Sequence, residues 1–380
     1  MKGKHGLVLL IVAALTMGLG ACGNGEAKEE GHLKQALAMV PADADSVYFT
    51  DWALIKAYEG VPGLSSESSM DERTAFIVTA FVGNAAKQVP PRQAAASKYG
   101  LNRFQTHEEI WSWDSTDLVW EATIEVGSAP PAYVLQFPQD FDFAPLLALF
   151  DERGFSQNEY QEVTIYSHEM DLGAEWMRKS EFGILNTAVL EGEKRLALSA
   201  AIEGVRAILD VQKGGAKALI EDPAVEATAE RLDQVASAFI SSGVDACVSS
   251  GDPLQALMGE ELSDEQLARL KALLKEDLGV HLYTGLGIGY RYEENRPVGL
   301  IVMHYTNADA AQADLEPRRQ LAQEGISLVV GQAYSEVLFT LDEATVKKND
   351  LTLQVRPVND TPQRLFIMIS QRDMLFARCP

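Results

Sequence analysis

The sequence predicts an α+β fold in two tandem, similar units, each a largely antiparallel sheet covered by helices on one face. Three observations carry this prediction: apolar strands joined by short turns, helices delimited by caps and glycines, and the return of both in the same order about 170 residues later. Runs of strands joined by hairpins place neighbours antiparallel, which leaves a sheet face for helices to cover.

The elements follow in order. Ser46-Val-Tyr-Phe49 reads as a strand, and Asp51 caps a helix that begins near Trp52. Asp71 to Phe81 reads as a helix, and Asp117 to Val126 as a strand. A strand after Pro131 (Ala-Tyr-Val-Leu-Gln-Phe137) leads to a helix capped by Asp142 and stopped at Gly154. Tyr160 to Ile165 and Arg195 to Leu198 supply further strands. The second unit repeats the order. Ser237-Ala-Phe-Ile240 matches the first strand, and Ser263 with Gln266 forms a capping box that Leu262 and Leu267 staple. Leu267, Leu270, Leu273 and Leu274 give that helix one apolar face. His281 to Tyr292 pairs with Pro297 to Tyr305 through the turn Glu293-Glu-Asn-Arg296. Asn307 caps a helix that stops at Gly325, with Pro317 inside it as an expected kink or end. Gly325-Ile-Ser327 matches Gly154-Phe-Ser156, Tyr334 to Phe339 matches Tyr160 to Ile165, and Arg364 to Ile367 matches Arg195 to Leu198. The C-terminal third therefore reads as a meander of strands near 334–341, 350–356 and 364–370.

The N-terminus has a different character. Lys2, Lys4 and His5 precede an apolar stretch from Leu7 to Met17, and Gly18 to Ala21 are small. That stretch is shorter than the ~20 apolar residues that span a bilayer and reads as a cleavable signal. The run Leu19-Gly20-Ala21-Cys22 resembles the processing site of bacterial lipoproteins. The resemblance implies a mature chain that begins at Cys22, carries a diacylglyceryl group on sulfur (and often a fatty acyl chain such as palmitate on the new amine), and hangs from a membrane. Each buried methylene contributes about 0.8 kcal/mol, so two chains anchor stably. Gly23 to Gly31 is small and polar and reads as a tether. Position 23 is Gly and not the Asp that resembles an inner-membrane retention signal. The expected place is the cell envelope outside the cytoplasm: an outer membrane, or the outer leaflet of the plasma membrane. The expected organisation is a signal over 1–21, a tether over 22–35, a first unit over 36–211, a connector and helix over 212–235, and a second unit over 236–380.

The segment Val40-Pro-Ala-Asp-Ala-Asp45 ahead of the first strand is similar to a group of bacterial envelope proteins of unknown function. Their extracytoplasmic part carries two similar α+β units, so the resemblance implies a fold and assigns no site.

Composition narrows the partners. Apolar residues make up 47% of the 380, enough for a real core. The net charge is −23, and loss of Lys2 and Lys4 takes it to −25. Such a charge speaks against nucleic acid, whose footprint is basic, and against lying flat on anionic lipid. Of the three cysteines, Cys22 is assigned to lipid. Cys247 and Cys379 either pair, in an oxidising compartment, or stay as two buried thiols.

Chemistry is sparse. Gly285-Leu-Gly287-Ile-Gly289 has Tyr290 where a dinucleotide fingerprint needs glycine, and a strand follows instead of a helix. It reads as a glycine strand that lets another backbone or helix come close. No P-loop, Gly-x-Ser-x-Gly or His-Glu-x-x-His occurs, and His32, His107, His168, His281 and His304 are scattered. No cofactor or metal is expected. Asp43 and Asp45 read as turn residues. Trp111, Trp113 and Trp120 lie close to Asp114, Asp117 and Glu121, the combination a glycan cleft uses. The role expected is non-catalytic binding of an envelope protein or small ligand. The alternatives are an envelope glycan hydrolase acting through Asp114, Asp117 or Glu121, and a solute-binding lipoprotein of a transporter.

Overall fold

A computed structural model describes residues 31–81, 100–171, 173–179, 185–243, 246, 279–294 and 296–379. Gly31–Pro380 form one compact unit. Its first helix, α1 (His32–Leu37), begins inside the 22–35 stretch read as tether and runs past its end, because Leu33, Ala36 and Leu37 supply an apolar face that the core takes up.

The strands of the first half are β1 (Ser46–Asp51), β2 (Trp120–Glu125), β3 (Ala132–Gln136), β4 (Ser156–Tyr160), β5 (Val163–Ser167), β6 (Asn186–Leu190) and β7 (Arg195–Ser199). Those of the second half are β8 (Ser237–Ser242), β9 (Tyr283–Glu293), β10 (Arg296–Tyr305), β11 (Phe339–Lys347) and β12 (Asp350–Pro357). All twelve join one sheet in the order β11-β12-β10-β9-β8-β1-β2-β3-β7-β6-β5-β4. Every ladder is antiparallel among the described residues. The two halves meet where β1 pairs with β8, with Tyr48 opposite Phe239 at the middle of the ladder and their rings 5.1 Å apart. The expectation of an α+β fold on antiparallel sheet holds. The sheets of the two halves are one continuous sheet.

Helices cover both faces, and not one as expected. Alternate residues of a strand point to opposite faces, so a strand buried on both sides is apolar throughout, as Ala132-Tyr-Val-Leu135 is. On the front face, Tyr133, Leu135, Leu196, Leu198, Ile301 and Met303 pack under α2 (Trp52–Tyr58), α3 (Met70–Phe81), α4 (Gly100–Trp111) and α5 (Ala144–Glu152). A short α6 (Glu175–Lys179) follows α5 in the chain. On the back, Val47, Phe49, Trp120, Ala122, Leu300 and Val302 pack under α1, α7 (Ile202–Gln212) and α8 (Pro223–Arg231). Helices α9 (Ala308–Glu324), α10 (Tyr334–Val337) and α11 (Gln363–Ser370) complete the front over the second half.

Residue Asn307 caps α9 by accepting from the Ala310 amide at 2.9 Å, as expected. The helix runs through Pro317 without ending there, because Ala310, Ala311, Leu321 and Ala322 hold both of its sides against the core. The glycine strand is β9. A Cβ at Gly287 would lie 2.3 Å from Thr228 Cγ2 and 2.8 Å from Leu232 Cδ1, and one at Gly285 would lie 3.3 Å from Ala224. Glycine at alternate positions lets α8 settle directly on the strand.

Two expectations at the C-terminus need correction. Residues 364–370 form helix α11, because Leu365, Phe366, Met368 and Ile369 recur at helical spacing behind Pro362. Tyr334 to Phe339 is a helical turn running into β11, and so does not match the hairpin at Tyr160 to Ile165. The capping box at Ser263 and Gln266, with its leucines, lies outside the described residues.

Candidate functional site

The segment read as a possible glycan cleft follows α4. Trp111 ends that helix, and a 3-10 turn over Ser115–Asp117 delivers the chain to β2. Trp111 and Trp113 are buried on the front face and Trp120 on the back, so the sheet separates them. Trp111 meets Phe150, Phe155 and Trp176 edge-on at 5.8–6.4 Å. Trp113 meets Phe137 edge-on at 5.7 Å and His107 at 4.2 Å. Burial alone lowers the His107 imidazole to about 3, which keeps it neutral among these rings.

The three acids are equally enclosed: Asp114 is 0%, Asp117 4% and Glu121 0% exposed. Each holds a separate part of the front layer. Arg73 of α3 donates through Nη1 to Asp114 Oδ2 and to Glu108 Oε2 of α4, both at 2.6 Å. Asp114 also accepts from the Thr116 amide at 2.6 Å. Asp117 closes the turn by accepting from the Asp114 amide at 2.9 Å, and takes the Ser66 amide and hydroxyl, each at 2.8 Å. Burial, with the Asp114 charge behind it, raises the Asp117 carboxyl above its ordinary value. Glu121 accepts from the Trp52 indole at 2.9 Å. Lys56 of α2 is buried between them and donates to the Leu64 and Thr116 carbonyls at 3.2 and 2.9 Å. Burial lowers its ammonium, against the pull of Asp117, Asp114 and Asp51. The arrangement ties α2, α3, α4, the 64–66 loop and the entry to β2 into one braced block. Unpaired buried charges are costly, so such a block resists partial opening.

A second polar cluster, not read from the sequence, fastens the C-terminus. Asp314 and Arg318, one helical turn apart on α9, are both fully buried. Asp314 accepts from the His281 amide, the His281 ring at 2.7 Å and the Tyr305 hydroxyl at 2.9 Å. Arg318 donates to the carbonyls of Phe376 at 2.9 Å, Arg378 at 2.5 Å and His281 at 3.2 Å, and lies over the Tyr283 ring. The spacing of four was visible in the sequence, but nothing in it set this pair apart from surface pairs such as Glu175–Lys179. Two more histidines face buried carboxylates, His32 toward Asp51 at 2.8 Å and His304 toward Asp350 at 2.6 Å. Asp51 also caps α2 as expected, accepting from the Leu54 amide at 2.9 Å.

Among the described residues, no group of three or more His, Cys, Asp or Glu side chains could hold a metal ion. Among them also, no helix is long and apolar enough to cross a membrane. Cys379 is disulfide-bonded. Cys22 and Cys247 lie outside the described residues.

Fold and braced site together define a mixed α+β protein on a single antiparallel sheet. No protein-family model matches the chain, and no curated protein matches it. Among solved structures it is similar to crystal forms III, I and IV of TP0453, each at 10% identity. The TM-scores are 0.37, 0.36 and 0.38, covering 88%, 90% and 88% of this chain and 98%, 98% and 96% of that one. Likeness at that level carries no functional inference.

Proposed function

We propose that this is a lipid-anchored protein of the cell envelope, facing outside the cytoplasm, that acts by binding a partner protein or ligand and not by catalysis. The observation that carries the non-catalytic half is the use made of Asp114, Asp117 and Glu121. All three are enclosed and committed to holding neighbouring segments. A glycosidase needs one carboxyl able to deliver a proton and another able to meet water or sugar. The antiparallel ladders weigh against a transporter's solute-binding lobes, which alternate strand and helix in parallel sheets.

The envelope half rests on the run Leu19-Gly20-Ala21-Cys22 and gains support from the bonded Cys379, since disulfides persist in oxidising compartments. With Cys22 assigned to lipid, the partner of Cys379 in this reading is Cys247. Such a bridge constrains the unfolded chain by about 4–5 kcal/mol.

The body is, in the same reading, a duplication. β1, β2 and β3 occupy the places in the first half that β8, β9 and β10 occupy in the second. β7 lies beside β3 as β12 lies beside β10, and α7 follows β7 as α11 follows β12. This pairing replaces the match of Arg195 with Arg364 expected from sequence. The hairpin β4–β5 is then the first half's own addition.

Native mass spectrometry of the lipidated protein, gently extracted from its membrane, tests the binding role. A reproducible added mass is expected, and its size separates a protein from a small molecule. A bare lipidated monomer, or turnover of glycan by the isolated protein, contradicts the reading.

A further inference from the structure

The two ends of the sheet are built differently. At one end β11 carries a register shift between Leu341 and Glu343, with Asp342, Glu343 and Lys347 along it. Bulges and charges of this kind blunt an edge against added strands. At the other end, among the described residues, stands β4: Ser156-Gln157-Asn158-Glu159-Tyr160. It has no proline, no lysine and no register shift, and its first four residues are exposed.

The hairpin fixes which backbone groups face outward. Gln161 and Glu162, with φ of 49° and 64°, make a two-residue turn of the type that matches strand twist. The closing pair Tyr160↔Val163 is then hydrogen-bonded, as are Asn158↔Ile165 and Ser156↔Ser167 by alternation. The amides and carbonyls of Gln157 and Glu159 point away from β5, in the spacing that a further strand would meet.

The surroundings select the occupant. Asp151, Glu152, Glu159 and Glu162 are exposed along this end of the sheet. Asp151, Glu191 and Glu159 all act on the Tyr166 hydroxyl, where they add to burial in raising it above its ordinary value. Among the described residues, Arg153 lies over the Trp111 and Trp176 rings, and Arg206 over the Tyr160 ring. A second copy of this chain, carrying the same negative charge, would meet repulsion here.

We propose that β4 is a docking edge for an extended, basic segment of a partner protein. The segment adds as a thirteenth strand through the outward amides and carbonyls of Gln157 and Glu159, with lysine or arginine side chains toward the acidic rim. Main-chain pairing supplies affinity in this mode, and the alternate side chains supply selectivity. The proposal rests on the binding reading above and names its surface.

The test uses the full protein and a short synthetic peptide of alternating lysine and threonine. A second peptide has the same sequence with alternate backbone amides methylated, which keeps charge and removes pairing. Gln157→Pro deletes an outward amide without touching the β4–β5 ladder, and Gln157→Ala is its control. The expected result is binding that slows hydrogen exchange in β4, with affinity at least tenfold weaker for the methylated peptide and for Q157P, and unchanged for Q157A. Absence of binding, equal binding by both peptides, or protection that maps away from β4 overturns the proposal. So does a β4-mediated dimer. Because Q157P is also examined by native mass spectrometry, the two readings separate. A partner mass that persists in Q157P sinks the docking edge and leaves the binding role standing.

Discussion

Replacing Arg73 by alanine is expected to lower the free energy of unfolding by about 3–5 kcal/mol, the range for removing one partner of a buried ion pair. The guanidinium is 6% exposed and its partner Asp114 is 0% exposed, so the carboxylate left behind has no water to turn to. Glu108, a third exposed, loses its contact at little cost. The double variant Arg73→Met with Asp114→Asn is expected to recover much of the loss, because no charge is then stranded. Urea melts of the singles and the double give the coupling between the two sites. A loss below about 1 kcal/mol for Arg73→Ala would mean that water reaches Asp114, and the braced block would have to be given up. The same variants address chemistry. A brace predicts that D114N changes stability, whereas a glycosidase acid predicts lost turnover in a protein of unchanged stability.

The second large effect is expected at Arg318. Arg318→Ala strands Asp314 in the core, where both side chains are fully buried, and releases the carbonyls of Phe376, Arg378 and His281. A loss of about 3–5 kcal/mol is expected here too, and it should come with a signature the Arg73 variant lacks. Residues 373–379 and the strand start at Tyr283 should exchange amide hydrogens faster, because Arg318 and the Tyr283 hydroxyl together hold the carbonyls of 376–378. Arg318→Lys keeps the charge but offers a single ammonium in place of a planar fork, so it should rescue only part of the loss. Uniform exchange across the chain in R318A would show that the C-terminus is held by something else.

Much of the sheet was legible because two-residue alternation and capping are local. Ser46 to Phe49, Ser237 to Ile240, Asn307 and the glycines of β9 all do what their spacing implies. The failures have physical causes. Gln363–Ser370 is a short apolar run, and such runs fit strand or helix until the layer they pack in is known. On the back face, the helix expected within 212–235 is α8, whereas α1 was hidden because it starts inside the polar stretch read as tether, where three apolar residues among six give little periodicity. Around Trp111 to Glu121, closeness in sequence invited a shared site. The sheet instead puts Trp120 on one face and Glu121 on the other. The partners that define the acids, Arg73, Ser66 and Trp52, lie outside that stretch of sequence. A carboxylate's identity does not disclose whether it braces or reacts; its burial and its donors do.

In the proposed reading the mature protein begins at Cys22 and is held at the envelope by lipid. The most direct measurement is the intact mass of the protein taken from its own membrane, with fragmentation of its N-terminal peptide. The prediction is a chain starting at Cys22 with a diacylglyceryl group on sulfur, and a Cys22→Ala chain that stays unprocessed. A chain that retains residues 1–21, or one that begins elsewhere and carries no lipid, would rule out lipid anchoring at Cys22.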